Sequence, residues 1–214
     1  MPKVAALVAL DNAEKGLPQA VPYSKRITDV VLASALLIST LPLMLLVALA
    51  IKCDSAGPVF YRQERVGLRG RHFTVLKFRS MRNDAEADGR PVWAATQDPR
   101  ITRVGRFIRW VRIDELPQLL NVLRGEMSIV GPRPERPHFV EQFNKLIPLY
   151  DDRHAVLPGI TGWAQISYSY GASLEDAREK LRYDLYYVAN WSFELDLKIL
   201  LATVGVVLSG KGAR

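Results

Sequence analysis

From Val30 to Ile51 the chain carries no charged residue over 22 positions, a run long enough to cross a bilayer core of about 30 Å as a helix. Lys25 and Arg26 precede it, and Lys52, Arg62, Arg65, Arg69 and Arg71 follow. Because both flanks are basic, the positive-inside preference favours moving neither of them outward. Pro42 lies near the middle and removes the N–H that would bond to the carbonyl of Ile38. The hydroxyls of Ser39 and Thr40 are close enough in sequence to satisfy freed backbone groups. Two arrangements follow from this pattern. A helix broken at Pro42 enters one leaflet and turns back; a merely bent helix spans. The pattern alone does not choose between them.

The rest of the chain reads as short elements. Residues 1–24, with Pro18 and Pro22, form a leader expected to be poorly ordered; its apolar patch is too short for a secretory signal. Val59 to Val66 and Phe73 to Phe78 read as strands of a hairpin, turned by Gly67-Leu68-Arg69-Gly70. Arg103 to Arg112 predicts an amphipathic helix, with Val104, Phe107, Ile108 and Val111 on one face and four arginines on the other. A short helix should begin with Pro117 at its first position and end before Gly125. Ile129 to Glu135 is a stiff loop in which Pro132 and Pro134 flank Arg133. Phe139 to Leu149 and Leu174 to Asn190 read as helices. Leu157 to Trp163 reads as a loop presenting an aromatic at headgroup level or against a base. Phe193 to Leu208 is apolar but interrupted by Glu194, Asp196 and Lys198, which suits a helix lying on a membrane or packed on the domain. The expected class is α+β, mostly helical, with a small β-hairpin.

Charge narrows the choice of partners. A formal charge of +7 points to anions: nucleic acid, nucleotide substrates or acidic headgroups. The excess is concentrated between Phe60 and Arg112. One cysteine, Cys53, excludes an internal disulfide and a cysteine-based zinc cluster, and His72, His138 and His154 lack ligand spacing. Asp114 and Glu115 then stand out. They follow the arginine-rich helix and precede the next, where unpaired N–H groups and the positive end of a dipole are expected to keep a carboxylate ionised and to favour phosphate nearby. In isolation such a pair is a helix cap. Beside Arg109 and Arg112, whose planar forks suit phosphate, it is a candidate site.

At this point the chain resembles the bacterial sugar transferases, the monotopic polyprenol-phosphate phosphoglycosyl transferases. The likeness runs from about Lys25 to the C-terminus. It is carried by Lys25-Arg26-Ile27-Thr28-Asp29, Gly57-Pro58-Val59-Phe60, Gln63-Glu64-Arg65-Val66-Gly67 and Lys77-Phe78-Arg79-Ser80-Met81. Further along come Asp98-Pro99-Arg100-Ile101-Thr102, Asp114-Glu115-Leu116-Pro117-Gln118, Gly131-Pro132-Arg133-Pro134-Glu135, Pro158-Gly159-Ile160-Thr161-Gly162 and Tyr183-Asp184. Each is weak alone; their order and spacing make the set specific. The chain departs from many members in having Leu41 where a serine precedes the membrane proline, and Leu157 where an arginine precedes Pro-Gly-Ile-Thr-Gly.

The resemblance implies an enzyme on the cytoplasmic face of the bacterial inner membrane, anchored by a re-entrant helix over residues 25–52 broken at Pro42 near Ser39. Residues 53–214 would be the interfacial catalytic domain, as in the short form of the family. It implies transfer of a sugar-1-phosphate from a nucleotide sugar, commonly a UDP-sugar, to undecaprenyl phosphate. Asp114 would be the nucleophile and a Mg²⁺ ligand, and Glu115 its acidic partner, orienting a group or assisting the metal. Arg109 and Arg133 would hold phosphates, with Pro132, Pro134 and Glu135 completing the substrate-binding loop. The basic helix would rest on anionic lipids, at about 1 kcal/mol per nearby Lys or Arg. Three rivals remain: a non-catalytic membrane-tethered binder of nucleic acid or acidic lipid, a scaffold, and a direct glycosyl transferase that releases a nucleoside diphosphate. No recognised nucleic-acid motif supports the first, so no nucleic-acid partner is expected. A homo-oligomer is left open.

Overall fold

The computed structural model describes residues 22–85, 98–168, 171 and 173–209. The expected leader lies outside them except for its last three residues, of which Tyr23 and Ser24 already belong to the first helix. That helix, α1 (Tyr23–Asp54), is 32 residues long and keeps Pro42 inside it. The Ser39 and Thr40 hydroxyls both donate to the carbonyl of Leu36, at 3.0 and 2.7 Å, not to that of Ile38 as the sequence suggested. Back-bonding of this kind tends to bend a helix, but the helix runs on through Pro42 without the break that the resemblance implied there.

One stripe of α1 is buried at both ends of the helix: Lys25, Asp29 and Ala33, then Met44, Val47 and Ile51. Its other faces expose Val31, Ile38, Leu41, Leu45, Leu46 and Leu49. The first turns are fastened by polar contacts. Arg26 donates to the carbonyls of Val122 and Leu123. Asp29 accepts from the Ser128 hydroxyl and the Ile129 N–H, each at 3.0 Å. The far end is closed by Arg79, which donates to the carbonyls of Ser55 and Ala56 at 2.8 and 2.7 Å, where a helix leaves its last carbonyls open.

The hairpin is β1 (Phe60–Val66) against β2 (His72–Phe78), antiparallel, with Tyr61 opposite Lys77 and Arg65 opposite Phe73. Helix α2 (Arg103–Trp110) starts at a Thr102 cap whose side chain accepts from the Gly105 N–H at 2.9 Å. It stops two residues before the expected end, because Arg112 turns left-handed at φ 59°. Its apolar face is only partly covered: Ile108 is buried, whereas Phe107 and Trp110 are exposed. A 3₁₀ turn over Ile113–Glu115 leads into α3 (Gln118–Arg124), so Pro117 caps this helix instead of opening it. Gly125 ends it in the left-handed conformation, as the sequence predicted.

Two stretches expected to be loops contain strands. β3 (Ser128–Val130) pairs in parallel with β4 (Gly159–Thr161), forming a second two-stranded sheet. Between them lie α4 (Pro137–Leu146) and a 3₁₀ turn over Tyr150–Ala155. Trp163 opens a short helix, α5 (Trp163–Ser167), and packs on the core with its ring 6.1 Å from that of Tyr186, not at a headgroup or base. The last helices are α6 (Leu174–Asn190), begun by a capping box at Ser173 and Asp176, and α7 (Phe193–Ser209). On α7, Leu195 and Ile199 join the core while Leu197, Leu201 and Val204 stay exposed. Lys25 of α1 pairs with Asp196 of α7 at 2.7 Å, and Asp196 also accepts from Tyr187 and Trp191.

Candidate active site

Three elements bring the charged groups together. The 3₁₀ turn between α2 and α3 supplies Asp114 and Glu115, both buried although charged, each at 9 % exposure. Strand β2 supplies Lys77, whose Nζ is 3.2 Å from Glu115. The loop after β3 supplies Arg133, which meets Glu115 with both guanidinium nitrogens, at 2.6 and 3.3 Å. A buried carboxylate survives where charged donors satisfy it, and Glu115 is such a case. Burial pushes its pKa up, but Arg133 and Lys77 more than offset this and hold it well below the usual carboxylate range.

Asp114 has the opposite environment. Among the described residues no hydrogen bond or ion pair reaches its carboxylate. Burial and the neighbouring Glu115 push it up to about 6, while Lys77, Arg109 and Arg133 pull the other way. The sequence predicts a helix start that holds the Asp114 pKa low; instead the pair sits in a three-residue turn and burial raises it, to a value that still leaves the carboxylate mostly ionised at neutral pH. Two adjacent acids thus divide the work. Glu115 is neutralised and fixed; Asp114, with no partner among the described residues, lies in a field of cations, the state in which a carboxylate is available to an electrophile. Lys77 is itself displaced downward by burial, with Glu115 opposing.

The expected site residues do not all converge on this point. Arg109 lies close enough to act on Asp114 through its charge. Glu135 turns instead to Arg65 of β1, at 3.5 Å. Pro132 and Pro134 contribute backbone: their carbonyls accept from the Gly159 N–H at 2.9 Å and from Arg65 at 3.0 Å. Pro42 and Ser39 lie on α1 and take no part in the cluster. Residues that the sequence reading left without a role appear beside them. Lys77 is a cation in a strand otherwise suited to burial, a signal that was readable, whereas Arg65 lies in a polar, mostly exposed strand that gives none. Arg153 and Asp184, bonded at 2.7 and 3.0 Å, are 31 residues apart; Asp184 falls in a motif of the resemblance, but nothing in the sequence pairs it with Arg153. Gln118 is 2 % exposed, and its side-chain nitrogen has no partner.

A resident divalent cation fits part of this arrangement. The Asp114 oxygens are hard, unpartnered donors, whereas those of Glu115 are occupied by Arg133 and Lys77. Among the described residues there is no group of three or more His, Cys, Asp or Glu able to form a protein cage. That pattern suits Mg²⁺, which binds through one or two carboxylates and completes its shell with substrate phosphates and water.

The chain is similar to known proteins over most of its length. Residues 20–210 match the family described as bacterial sugar transferase. The chain is 47 % identical over 192 residues, 90 % of its length, to the UDP-N-acetylgalactosamine-undecaprenyl-phosphate N-acetylgalactosaminephosphotransferase of Aeromonas hydrophila. It is 46 % identical, over 91 % of its length, to the UDP-glucose:undecaprenyl-phosphate glucose-1-phosphate transferase of Caulobacter vibrioides. The match to the exopolysaccharide production protein PSS of Rhizobium leguminosarum is 42 % over 88 % of the chain. The matched region is 45 % of the Aeromonas protein, 73 % of the Caulobacter protein and 97 % of the Rhizobium protein, so the chain spans less than half of the larger relatives.

Proposed function

Because the chain belongs to the bacterial sugar transferase family, we propose that it moves a sugar-1-phosphate from a UDP-sugar to undecaprenyl phosphate by way of a covalent intermediate on Asp114. The observation that carries this reading is the unequal pair: Glu115 is fixed by Arg133 and Lys77, and its neighbour Asp114 is buried with no hydrogen-bond or ion-pair partner among the described residues. The names of the relatives support the donor and acceptor classes.

In the first step an Asp114 oxygen attacks the phosphorus that bears the sugar. The bond from that phosphorus to the oxygen of the nucleoside monophosphate breaks, and UMP leaves with the electron pair. In the second step an oxygen of the lipid phosphate attacks the same phosphorus, the aspartyl bond breaks, and the carboxylate is restored. Splitting one transfer into two in-line displacements is the ordinary advantage of a covalent nucleophile. Lys77, Arg109 and Arg133 supply the positive field in which an anionic carboxylate approaches an anionic diphosphate. Mg²⁺, held by Asp114 and the substrate phosphates, would add further neutralisation of the diphosphate. Glu115 keeps Arg133 and Lys77 aimed at this point.

The membrane assignment rests on α1, whose mean hydropathy is 2.5 over its most apolar window with 17 % of that window buried. Its two flanks both attach to the same domain, which supports a re-entrant, monotopic arrangement with the domain on the cytoplasmic face. The exposed Phe107 and Trp110, their rings 6.4 Å apart on arginine-rich α2, suit a headgroup layer.

Membranes containing the protein, supplied with UDP-sugar and undecaprenyl phosphate, should release UMP, and Asp114→Asn should abolish that release. Radiolabelled sugar phosphate should be trapped on the protein when acceptor is withheld, and not on Asp114→Asn. Release of UDP, or turnover unaffected by the substitution, overturns the reading. Salt-sensitive nucleic-acid binding without turnover would favour the tethered-binder alternative.

A further inference from the structure

The loop that carries Arg133 is held in an unusual way. Four consecutive carbonyls, from Pro132 to Glu135, each accept a hydrogen bond from a different donor. The Pro132 carbonyl accepts from the Gly159 N–H at 2.9 Å, and that of Glu135 from the Val66 N–H at 2.9 Å. Between them, the Arg133 carbonyl accepts from the Arg153 guanidinium at 2.8 Å and the Pro134 carbonyl from the Arg65 guanidinium at 3.0 Å. The two outer bonds are backbone: one extends the β3–β4 pair, and the other ties the end of β1 to the loop. The two inner bonds come from charged side chains.

Both arginines are themselves fixed. Arg153 is 5 % exposed; it donates twice to Asp184, at 2.7 and 3.0 Å, and once to the Tyr150 hydroxyl at 3.1 Å. Arg65 is mostly buried and donates to Gln63 at 2.5 Å while facing Glu135 at 3.5 Å. A buried guanidinium is costly unless its donors are satisfied, so using two of them on neighbouring carbonyls is more than a loop needs for folding. What they enclose is the backbone of Arg133, whose side chain reaches Glu115 at 2.6 Å. Pro132 and Pro134 restrict φ on either side of it.

We infer that Arg65 and Arg153 are positioning residues: by gripping the carbonyls of Pro134 and Arg133 they set where the Arg133 guanidinium stands relative to Asp114 and Glu115. Neither needs to touch substrate. Asp184, Tyr150 and Gln63 hold the two grips in place. The inference rests on the proposed function only for its kinetic consequence, since the grip itself is a property of the folded chain.

The test is a double-mutant cycle with a second readout. Arg65→Gln is the primary variant because Arg65 is the less buried of the two; Arg153→Lys, which keeps the charge and loses the fork, is the other. In an otherwise unchanged enzyme each should lower kcat/KM by about tenfold to a hundredfold, the scale of a displaced catalytic group. In an Arg133→Ala background the same substitutions should change it by less than about threefold, because there is no longer a guanidinium to place. A merely structural role gives additive losses and overturns the inference. Amide exchange measured on the same proteins should rise at Arg133 and Glu135 in both variants; unchanged exchange there also overturns it. If the wild-type protein does not turn over UDP-sugars, the proposed function fails, while the exchange result still decides the grip.

Discussion

At Asp114 the folded protein keeps a carboxylate whose charged form it disfavours. The carboxyl has a folded pKa of about 6 against an ordinary value of 3.8. The folded state therefore binds the proton more tightly than the unfolded chain, and stability falls as pH rises between those values. Above about pH 6 the ionised side chain costs on the order of 3 kcal/mol. Asp114→Asn should thus raise Tm at pH 7.5 by several degrees while abolishing turnover, measured by thermal unfolding of the metal-free protein. Glu115→Gln should shift Tm the other way. It leaves Arg133 and Lys77 without their ionic partner, and Tm should fall, by an amount corresponding to about 1–3 kcal/mol once partial exposure of Arg133 is allowed for. His154 gives a separate pH dependence. It is 6 % exposed, and burial together with Arg153 lowers its pKa. Below about pH 6.5 the unfolded chain takes up a proton that the folded state resists. In an Asp114→Asn background, where the opposing titration of Asp114 is removed, the urea midpoint should therefore drop between pH 7.5 and pH 5.5, and adding His154→Gln should flatten that drop. The acidic pair was legible in the sequence because its members are adjacent and sit inside a specific motif. Their unequal environments were not, since these depend on Lys77 and Arg133, 38 and 18 residues from Glu115.

Among the elements, α2 and α3 decide whether the site forms. A Cβ on Gly105 would lie 1.9 Å from the Ser80 carbonyl oxygen, so α2 approaches the strand exit more closely than any larger residue permits. Gly105→Ala should push α2 outward and take Arg109 with it, lowering turnover and Tm together. On α3, Asn121 is fully buried; it donates to the Thr74 carbonyl at 2.7 Å and accepts from the Leu76 N–H at 3.1 Å. This side chain completes the free edge of β2 next to Lys77. Asn121→Ala leaves both backbone groups unpaired and should cost about 2–4 kcal/mol in urea unfolding. Helices with a clear periodic face were legible, α6 to the residue and α2 within two, because local spacing determines them. Strands β3 and β4 were not. Each is three residues long in a stretch rich in glycine or proline, and each exists because of its partner, with Ser128 set opposite Gly159.

For the whole molecule, the proposed monotopic arrangement of α1 rests on where its two ends attach. As a straight rod its 32 residues would extend about 48 Å, more than a bilayer core. Yet Lys25, Arg26 and Asp29 bind α7, α3 and β3, and at the other end Val47 and Ile51 pack with Phe78 and Ile108. Those partners form one continuous domain. A crossing helix would place one flank on the far side of the bilayer and break either the first set of contacts or the second. The hydropathy pattern gave no reason to prefer re-entry over spanning because it shows the basic flanks but not their partners, which lie up to 171 residues away and are what the proposal uses. The consequence can be tested with the single native cysteine. Cys53 is exposed just beyond the apolar run, and Tyr23 is 91 % exposed just before it. Native Cys53, and Tyr23→Cys in a Cys53→Ser background, should both react with a membrane-impermeant maleimide in inside-out vesicles, and neither should react in intact spheroplasts. Labelling of the two positions from opposite sides would refute the monotopic arrangement. It would also require that Lys25 and Asp196, 2.7 Å apart here, separate in the membrane.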